Sequence, residues 1–177
     1  MQPDLRSLLT PLLECQQLSA ARDCHACCEA RRPDILLEDG NPDKLEVGNT
    51  YVMRRLFTEA DVHDFVHVSG DVNPIHMDPE AARAQGFEGV ILPGLLCSSL
   101  FPAIIGTQFP GALYLSQELK FRRPALLGES LIARVIISKL SGSRVMFKTQ
   151  CEPMHGRIGE GPVVDGTAVA LIRDAQS

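Results

Sequence analysis

Residues 94–105 make the most apolar run in the chain, and the residues beyond them have the period of β-structure. Pro93-Gly94 introduces the run and Gly106 is expected to close it. Ser98, Ser99 and Pro102 interrupt it, and it falls short of the roughly 20 apolar residues that a membrane-spanning helix needs. It therefore reads as one buried helix of a soluble protein. Over residues 113–121 the odd positions Leu113, Leu115, Leu119 and Phe121 are apolar, and the even ones carry Tyr114, Ser116, Glu118 and Lys120. A period of two is that of a half-buried antiparallel strand. Residues 131–140, 144–151 and 163–172 form three further strands, with Gly142 in the turn between the first two. A helix apolar over most of its surface must be covered, and a run of strands supplies an antiparallel sheet to cover it. The pattern is α+β, one long helix against one sheet.

The segment ahead of the helix is built of shorter pieces. Residues 38–43, Glu-Asp-Gly-Asn-Pro-Asp, are a turn-rich connector. They divide the chain into an N-terminal extension, residues 1–45, and a domain, residues 46–177. Residues 52–57 read as a strand. Thr58 then has the chemistry of a helix cap with Asp61 in the first turn. Phe65 and Val68 are expected to face inward from that helix, which ends at Ser69-Gly70. Asp78-Pro79 opens another short helix, since proline at the first position gives up only an N–H that has no partner, and Gly86 stops it. In the extension, Leu5, Leu8, Leu9, Leu12 and Leu13 recur at helical spacing, broken by Pro11. Its arginines are balanced by acids, unlike an organelle transit peptide, and it has no continuous apolar core of a secretory signal. It is read as an appended targeting or disordered tail.

The formal charge over 177 residues is −5, with the basic residues scattered. A nucleic-acid partner demands a concentrated positive surface, and two Tyr with no Trp offer few stacking platforms. Neither nucleic acid nor a membrane is expected as a partner. Four of the six cysteines stand within the first 28 residues and the other two, Cys97 and Cys151, lie in apolar patterns. This is not the distribution of a disulfide scaffold, and a reducing compartment fits it.

Chemistry concentrates in Ser69-Gly70-Asp71-Val72-Asn73-Pro74-Ile75-His76. Asn73-Pro74 excludes both regular helix and regular strand, because proline fixes its own φ and pushes the residue before it out of the helical region. A tight turn can therefore set Asp71 beside His76, and a carboxylate next to an imidazole can grip one water and exchange protons with it near neutral pH. The spacing alone fits equally well a structural turn in which Asp71 caps backbone amides.

The string as a whole resembles the (R)-specific enoyl-thioester hydratases, the MaoC-like hot-dog family. Phe57-Thr58, a short helix and the intact Ser-Gly-Asp-x-Asn-Pro-x-His carry the resemblance. It continues through Gly86-Phe87-Glu88, Pro93-Gly94-Leu95-Leu96, Phe109-Pro110-Gly111, Tyr114-Leu115-Ser116-Gln117 and Phe121-Arg122-Arg123-Pro124. It covers about residues 47–172, and within the family the chain is most similar to the mitochondrial 3-hydroxyacyl-acyl-carrier-protein dehydratases of eukaryotes. The resemblance implies a hot-dog fold, an antiparallel sheet wrapped around a central helix, paired with a second copy as a homodimer. It implies a hydro-lyase of fatty acid metabolism, interconverting (3R)-3-hydroxyacyl and trans-2-enoyl thioesters on acyl-carrier protein or coenzyme A. Asp71 and His76 would be the catalytic dyad, Asn73 would hold their loop, and the Gly94 N–H would meet the thioester oxygen. No metal or other cofactor is implied. Location in mitochondria follows from the resemblance alone; the cytoplasm is the alternative. One departure is Pro93, where the family often has His; lacking an N–H, it adds no second donor.

Other features carry less. His63 and His67 stand at metal-binding i, i+4 spacing, and a solvated helix face is the preferred reading. Cys24-His25-Ala26-Cys27-Cys28 has no second ligand pair at a zinc-finger interval and reads as unpaired thiols. Cys97 has apolar neighbours that would keep its thiol inert, and Ser98 and Ser99 read as helix-packing residues. Arg122-Arg123 and Arg54-Arg55 adjoin or lie in strands, where consecutive side chains point to opposite faces, so at most one of each pair would serve a ligand. Two rivals remain: a hot-dog thioesterase, which has no need of the linked Asp-x-Asn-Pro-x-His, and a non-catalytic acyl-binding module, which has no need of both proton-transfer groups.

Overall fold

The alternating second half of the chain becomes a sheet, and the apolar run lies across it. The structure, a computed structural model, describes residues 35–41, 44–155 and 161–173. In chain order these form β1 (Ile35–Asp39), β2 (Thr50–Leu56), α1 (Glu59–Ser69), a single 3₁₀ turn (Pro74–His76), α2 (Pro79–Ala84), α3 (Gly94–Ser98), α4 (Leu100–Gln108), β3 (Leu113–Phe121), β4 (Ser130–Ser141), β5 (Arg144–Pro153) and β6 (Val164–Leu171). All strand pairs are antiparallel, in the order β1-β2-β4-β5-β6-β3. The result is the expected α+β, hot-dog arrangement. Cys24-His25-Ala26-Cys27-Cys28 and the leucine-rich start of the extension lie outside the described residues.

Alternation decides which face is covered. On β4, Leu131, Ala133, Val135 and Ile137 are buried, and on β5 Val145, Phe147, Thr149 and Cys151. Phe147 pairs with Ala168 and Val145 with Ala170, large against small, which leaves room for the helix to settle. Phe101, Ile104 and Ile105 of α4 belong to the same core, all essentially inaccessible, and α4 touches β2 and β4 while α3 touches β6. Gly142, φ 57, begins the two-residue turn between β4 and β5, where the chain must reverse with positive φ.

Four expectations are corrected. The central helix is not continuous: Pro102 has no N–H to return to the Ser98 carbonyl and crowds it, so α3 ends at Ser98 and α4 begins at Leu100. Gly106 does not end the helix, which runs to Gln108. In α1, Val62 and Val66 are the buried residues and Phe65 is half-buried, but Val68 is 86% exposed, because a residue two beyond Val66 has rotated to the opposite side of a 3.6-residue turn. In β3 the register shifts between Tyr114 and Ser116. This bulge turns the half-buried face to Tyr114, Gln117 and Leu119 and leaves Leu113 and Leu115 exposed. In addition, β1 pairs with β2, a strand that the short apolar triplet Ile35-Leu36-Leu37 did not announce.

The loop between these two strands is held by Asn49, whose exposure is 1%. Its amide nitrogen donates to the carbonyls of Asn41 and Lys44 at 3.0 and 2.7 Å, and its oxygen accepts from the Asn41 N–H at 3.2 Å.

The packing of α4 is tested by Phe101→Ala. Removing a wholly buried phenylalanine is expected to cost about 3–5 kcal/mol, read by chemical denaturation. A loss under about 1 kcal/mol would show that the helix does not rest on the sheet through this ring.

Candidate active site

The loop that carries Asp71 and His76 is shaped by its own side chains. Gly70, φ 75, closes α1 in the left-handed conformation, its N–H on the Val66 carbonyl. The Asp71 N–H then donates to Ser69 Oγ at 3.2 Å, and Asp71 Oδ1 accepts from the Asn73 N–H at 3.3 Å. Asn73 caps the 3₁₀ turn, its Oδ1 accepting from the Ile75 N–H at 3.4 Å, with Pro74 in the first position. One turn later His76 is carried into the protein, where it is 9% exposed.

His76 Nδ1 lies 2.8 Å from the Ile91 carbonyl oxygen. A carbonyl only accepts, so Nδ1 carries a proton in this contact and the neutral ring presents the Nε2 lone pair on its other side. That Nε2 stands 3.7 Å from Asp71 Oδ2, whose side chain is 46% exposed. The separation is too long for a direct hydrogen bond, and it suits one water or substrate hydroxyl held between both groups.

Residues 90–92 run as an extended segment that pins the carbonyl. The Ile91 N–H donates to Ile75 O, the Leu92 N–H to Ala125 O, and the Leu127 N–H to Val90 O. Two residues on, Gly94 opens α3. As the first helical residue it has an N–H with no partner inside the helix, and Pro93 at the cap contributes none. Because α3 is only five residues long, the donor here is that N–H itself more than the dipole of a long helix. The Phe121 ring lies close over Gly94: a Cβ there would lie 2.7 and 2.8 Å from its Cε1 and Cδ1, so the ring would have to shift to admit one.

Asp71, His76 and Gly94 line one cavity of about 600 Å³. Asn73 does not; it borders a groove on the far side of the loop with Ala81 and Ala84. Much of the cavity wall is apolar, with Phe65, Phe87, Leu92 and Leu95 among its residues. Arg122 and Arg123 both line it, against the expectation that only one would, since β3 ends at Phe121 and strand alternation ends with it. The Ile91 carbonyl as partner of His76 and the Phe121 ring as neighbour of Gly94 have no signal in the sequence, because both contacts arise through tertiary packing.

The features set aside from sequence fall elsewhere. His63 and His67 are both exposed on α1, and among the described residues no group of three or more His, Cys, Asp or Glu is placed to hold a metal ion. Cys97 is buried, and burial pushes its thiol up to about 12, so it stays protonated and unreactive at neutral pH. Ser98 and Ser99 return their hydroxyls to the carbonyls of Leu95 and Leu96. Among the described residues no helix is long and apolar enough to cross a membrane.

The Gly94–Phe121 contact generates a test. Gly94→Ala is expected to displace the ring and to destabilise by about 1–3 kcal/mol through overpacking. In the double variant Gly94→Ala/Phe121→Ala the loss should be smaller than the sum of the two single losses. Strict additivity in thermal unfolding would show that the two residues do not touch.

Comparison with known proteins agrees with this architecture. The family model described as MaoC like domain matches residues 44–153. The mitochondrial 3-hydroxyacyl-[acyl-carrier-protein] dehydratase of Arabidopsis thaliana is 39% identical over 132 residues, covering 72% of this chain and 78% of the relative. The solved (R)-hydratase from A. caviae involved in PHA biosynthesis superposes with a TM-score of 0.68 at 33% identity, covering 73% of this chain and 98% of that one. An R-hydratase from Pseudomonas aeruginosa superposes at 0.67 with 34% identity, covering 74% and 84%. With a sheet of this order, a central helix at the site and a family match over more than half its length, this chain belongs to the MaoC-like domain family.

Proposed function

We propose that this chain is a hydro-lyase of fatty acid metabolism that dehydrates (3R)-3-hydroxyacyl thioesters and hydrates trans-2-enoyl thioesters. The observation that carries the reading is the opening of Asp71 Oδ2 and His76 Nε2, 3.7 Å apart, into the cavity that Gly94 also lines. In dehydration, the pair removes a proton from C2 and delivers a proton to the 3-hydroxyl, which leaves as water while the C2–C3 double bond forms. Hydration is the reverse. Loss of the C2 proton builds negative charge on the thioester oxygen, and the Gly94 N–H, which has no partner within α3, is proposed to receive it; one such donor is worth about 3 kcal/mol. Asn73 serves by holding the loop. The reaction is an elimination without net oxidation, so it calls for no redox cofactor, and the dyad supplies the proton transfers without a metal.

The carriers named for relatives, acyl-carrier protein for the Arabidopsis enzyme and coenzyme A for the (R)-specific enoyl-CoA hydratase of Aeromonas caviae, are the two proposed for this chain. The catalytic unit is proposed to be residues 46–177, with residues 1–45 as an extension whose end, β1, joins the edge of the sheet. The relatives named as mitochondrial support a mitochondrial location, to be decided by organelle fractionation.

The dyad is tested by following the ultraviolet absorbance of a trans-2-enoyl thioester with wild type, Asp71→Asn and His76→Ala. Loss of general acid–base chemistry is expected to lower kcat by about 10²–10⁴-fold in each variant, with (3R) product and no free thiol from wild type. Free thiol release would favour a thioesterase, and binding without turnover an acyl-binding module. Undiminished variants would remove the dyad.

A homodimer is part of the proposal. β3 is a sheet edge that exposes Leu113 and Leu115, and an exposed apolar edge is a template for pairing with a second copy. Leu115→Lys is expected to shift sedimentation from dimer toward monomer. A wild type that sediments as a monomer would remove this part of the reading.

A further inference from the structure

A large apolar ring stands in the wall of the cavity that Asp71, His76 and Gly94 share, and the proton chemistry gives it no task. Phe121 ends β3, lines that cavity and is 54% exposed. Aromatic surface left in water forgoes the stabilisation of burial. The place of the ring relative to Gly94 is specific. In a helix every Cα–Cβ bond tilts toward the N-terminus, the direction in which the N–H groups of the first turn also point. The ring stands where such a bond on Gly94 would lead, with Cε1 and Cδ1 2.7 and 2.8 Å from the position of a Cβ. Phe121 therefore flanks the Gly94 N–H.

The hydrogen bonds of residues 90–92 show what lies on either side of that donor. On one side the Ile91 N–H donates to the Ile75 carbonyl, and the Ile91 carbonyl lies on His76 Nδ1. On the other, the Leu92 N–H donates to the Ala125 carbonyl and the Leu127 N–H to the Val90 carbonyl. The loop of Asp71 and His76 and the segment that follows Phe121 thus border opposite edges of the chain that enters α3. A thioester carbonyl carbon has two substituents, C2 and sulfur. With C2 turned to Asp71 and His76, the sulfur is turned the other way, to the side of Phe121.

We propose that Phe121 is a specificity-determining residue whose ring receives the thioester sulfur, where the acyl group joins its carrier. A divalent sulfur is polarizable and packs favourably against an aromatic ring, and an ester oxygen in its place would gain less. The inference rests on the hydro-lyase reading above, in which C2 is the carbon presented to Asp71 and His76. It adds a contact to the one bond that distinguishes a thioester from an ordinary ester.

The test measures Kd by calorimetry for a saturated acyl-coenzyme A, which has no double bond to hydrate, and for its analogue with oxygen in place of the thioester sulfur. Wild type is expected to bind the thioester more tightly. In Phe121→Leu that preference should fall by about two- to tenfold, the range of a sulfur–aromatic contact, where tenfold is about 1.4 kcal/mol. Phe121→Tyr, which keeps the ring, should hold the wild-type preference. A preference unchanged in Phe121→Leu, with both ligands weakened equally or not at all, assigns the ring to packing on Gly94 and overturns the proposal. Failure of wild type to bind either ligand, or to prefer the thioester, overturns it as well. Turnover of a trans-2-enoyl thioester is read separately; its absence in wild type would sink the hydro-lyase reading whatever the binding shows, so the two failures are distinct.

Discussion

The contact on which the site depends is the hydrogen bond from His76 Nδ1 to the Ile91 carbonyl oxygen. It joins the loop of the two titratable groups to the extended segment that leads, within three residues, to the start of α3. The reciprocal bond from the Ile91 N–H to the Ile75 carbonyl closes the link from the other side. Between them these bonds orient the imidazole, direct its second nitrogen to Asp71, and tie the loop of Asp71 and His76 to the segment that leads to Gly94. A buried ring without such a partner would lose the compensation that makes its burial tolerable.

The sheet contributes the opposite wall by a close approach of backbones. A Cβ on Gly166 would lie 1.8 Å from the Glu118 carbonyl oxygen, so glycine alone lets β3 close onto β6 at that point. The bulge after Tyr114 changes which side chains of β3 face the helix. Where the strand ends, the Phe121 ring lies on Gly94, and the turn at Arg122 and Arg123 completes the wall. Two glycines far apart in sequence thus serve one purpose: each removes a side chain where two elements must come together, one within the sheet and one between sheet and helix.

The broken central helix has the same character. Pro102 costs α4 a backbone hydrogen bond, yet Leu96, Cys97, Phe101 and Ile104 on either side of the break are all buried. Packing on the sheet therefore outweighs the local preference. The break leaves α3 five residues long, too short for the dipole of a long helix to build up at Gly94.

Much of this was legible in the residues themselves. Strands β4, β5 and β6, the Thr58 and Asp78 caps, the turn at Gly142 and the dyad loop declare themselves through alternation, capping chemistry and the Asn73-Pro74 pair, all of which act within a few residues. The pattern of Ser69 to His76, with the segments after it, was enough to name the family. What sequence could not decide were relations between distant segments: the Ile91 carbonyl as the partner of His76, the Phe121 ring against Gly94, the addition of β1 to the edge of β2, and the presence of both arginines on one cavity wall. The bulge in β3 and the rotation of Val68 away from the core belong with these, because register and facing are set by what a segment packs against. Local chemistry determined the elements and the candidate titratable groups; only the tertiary structure decided how near they stand, since a period or a cap is written in adjacent residues and a contact is written in the meeting of two surfaces.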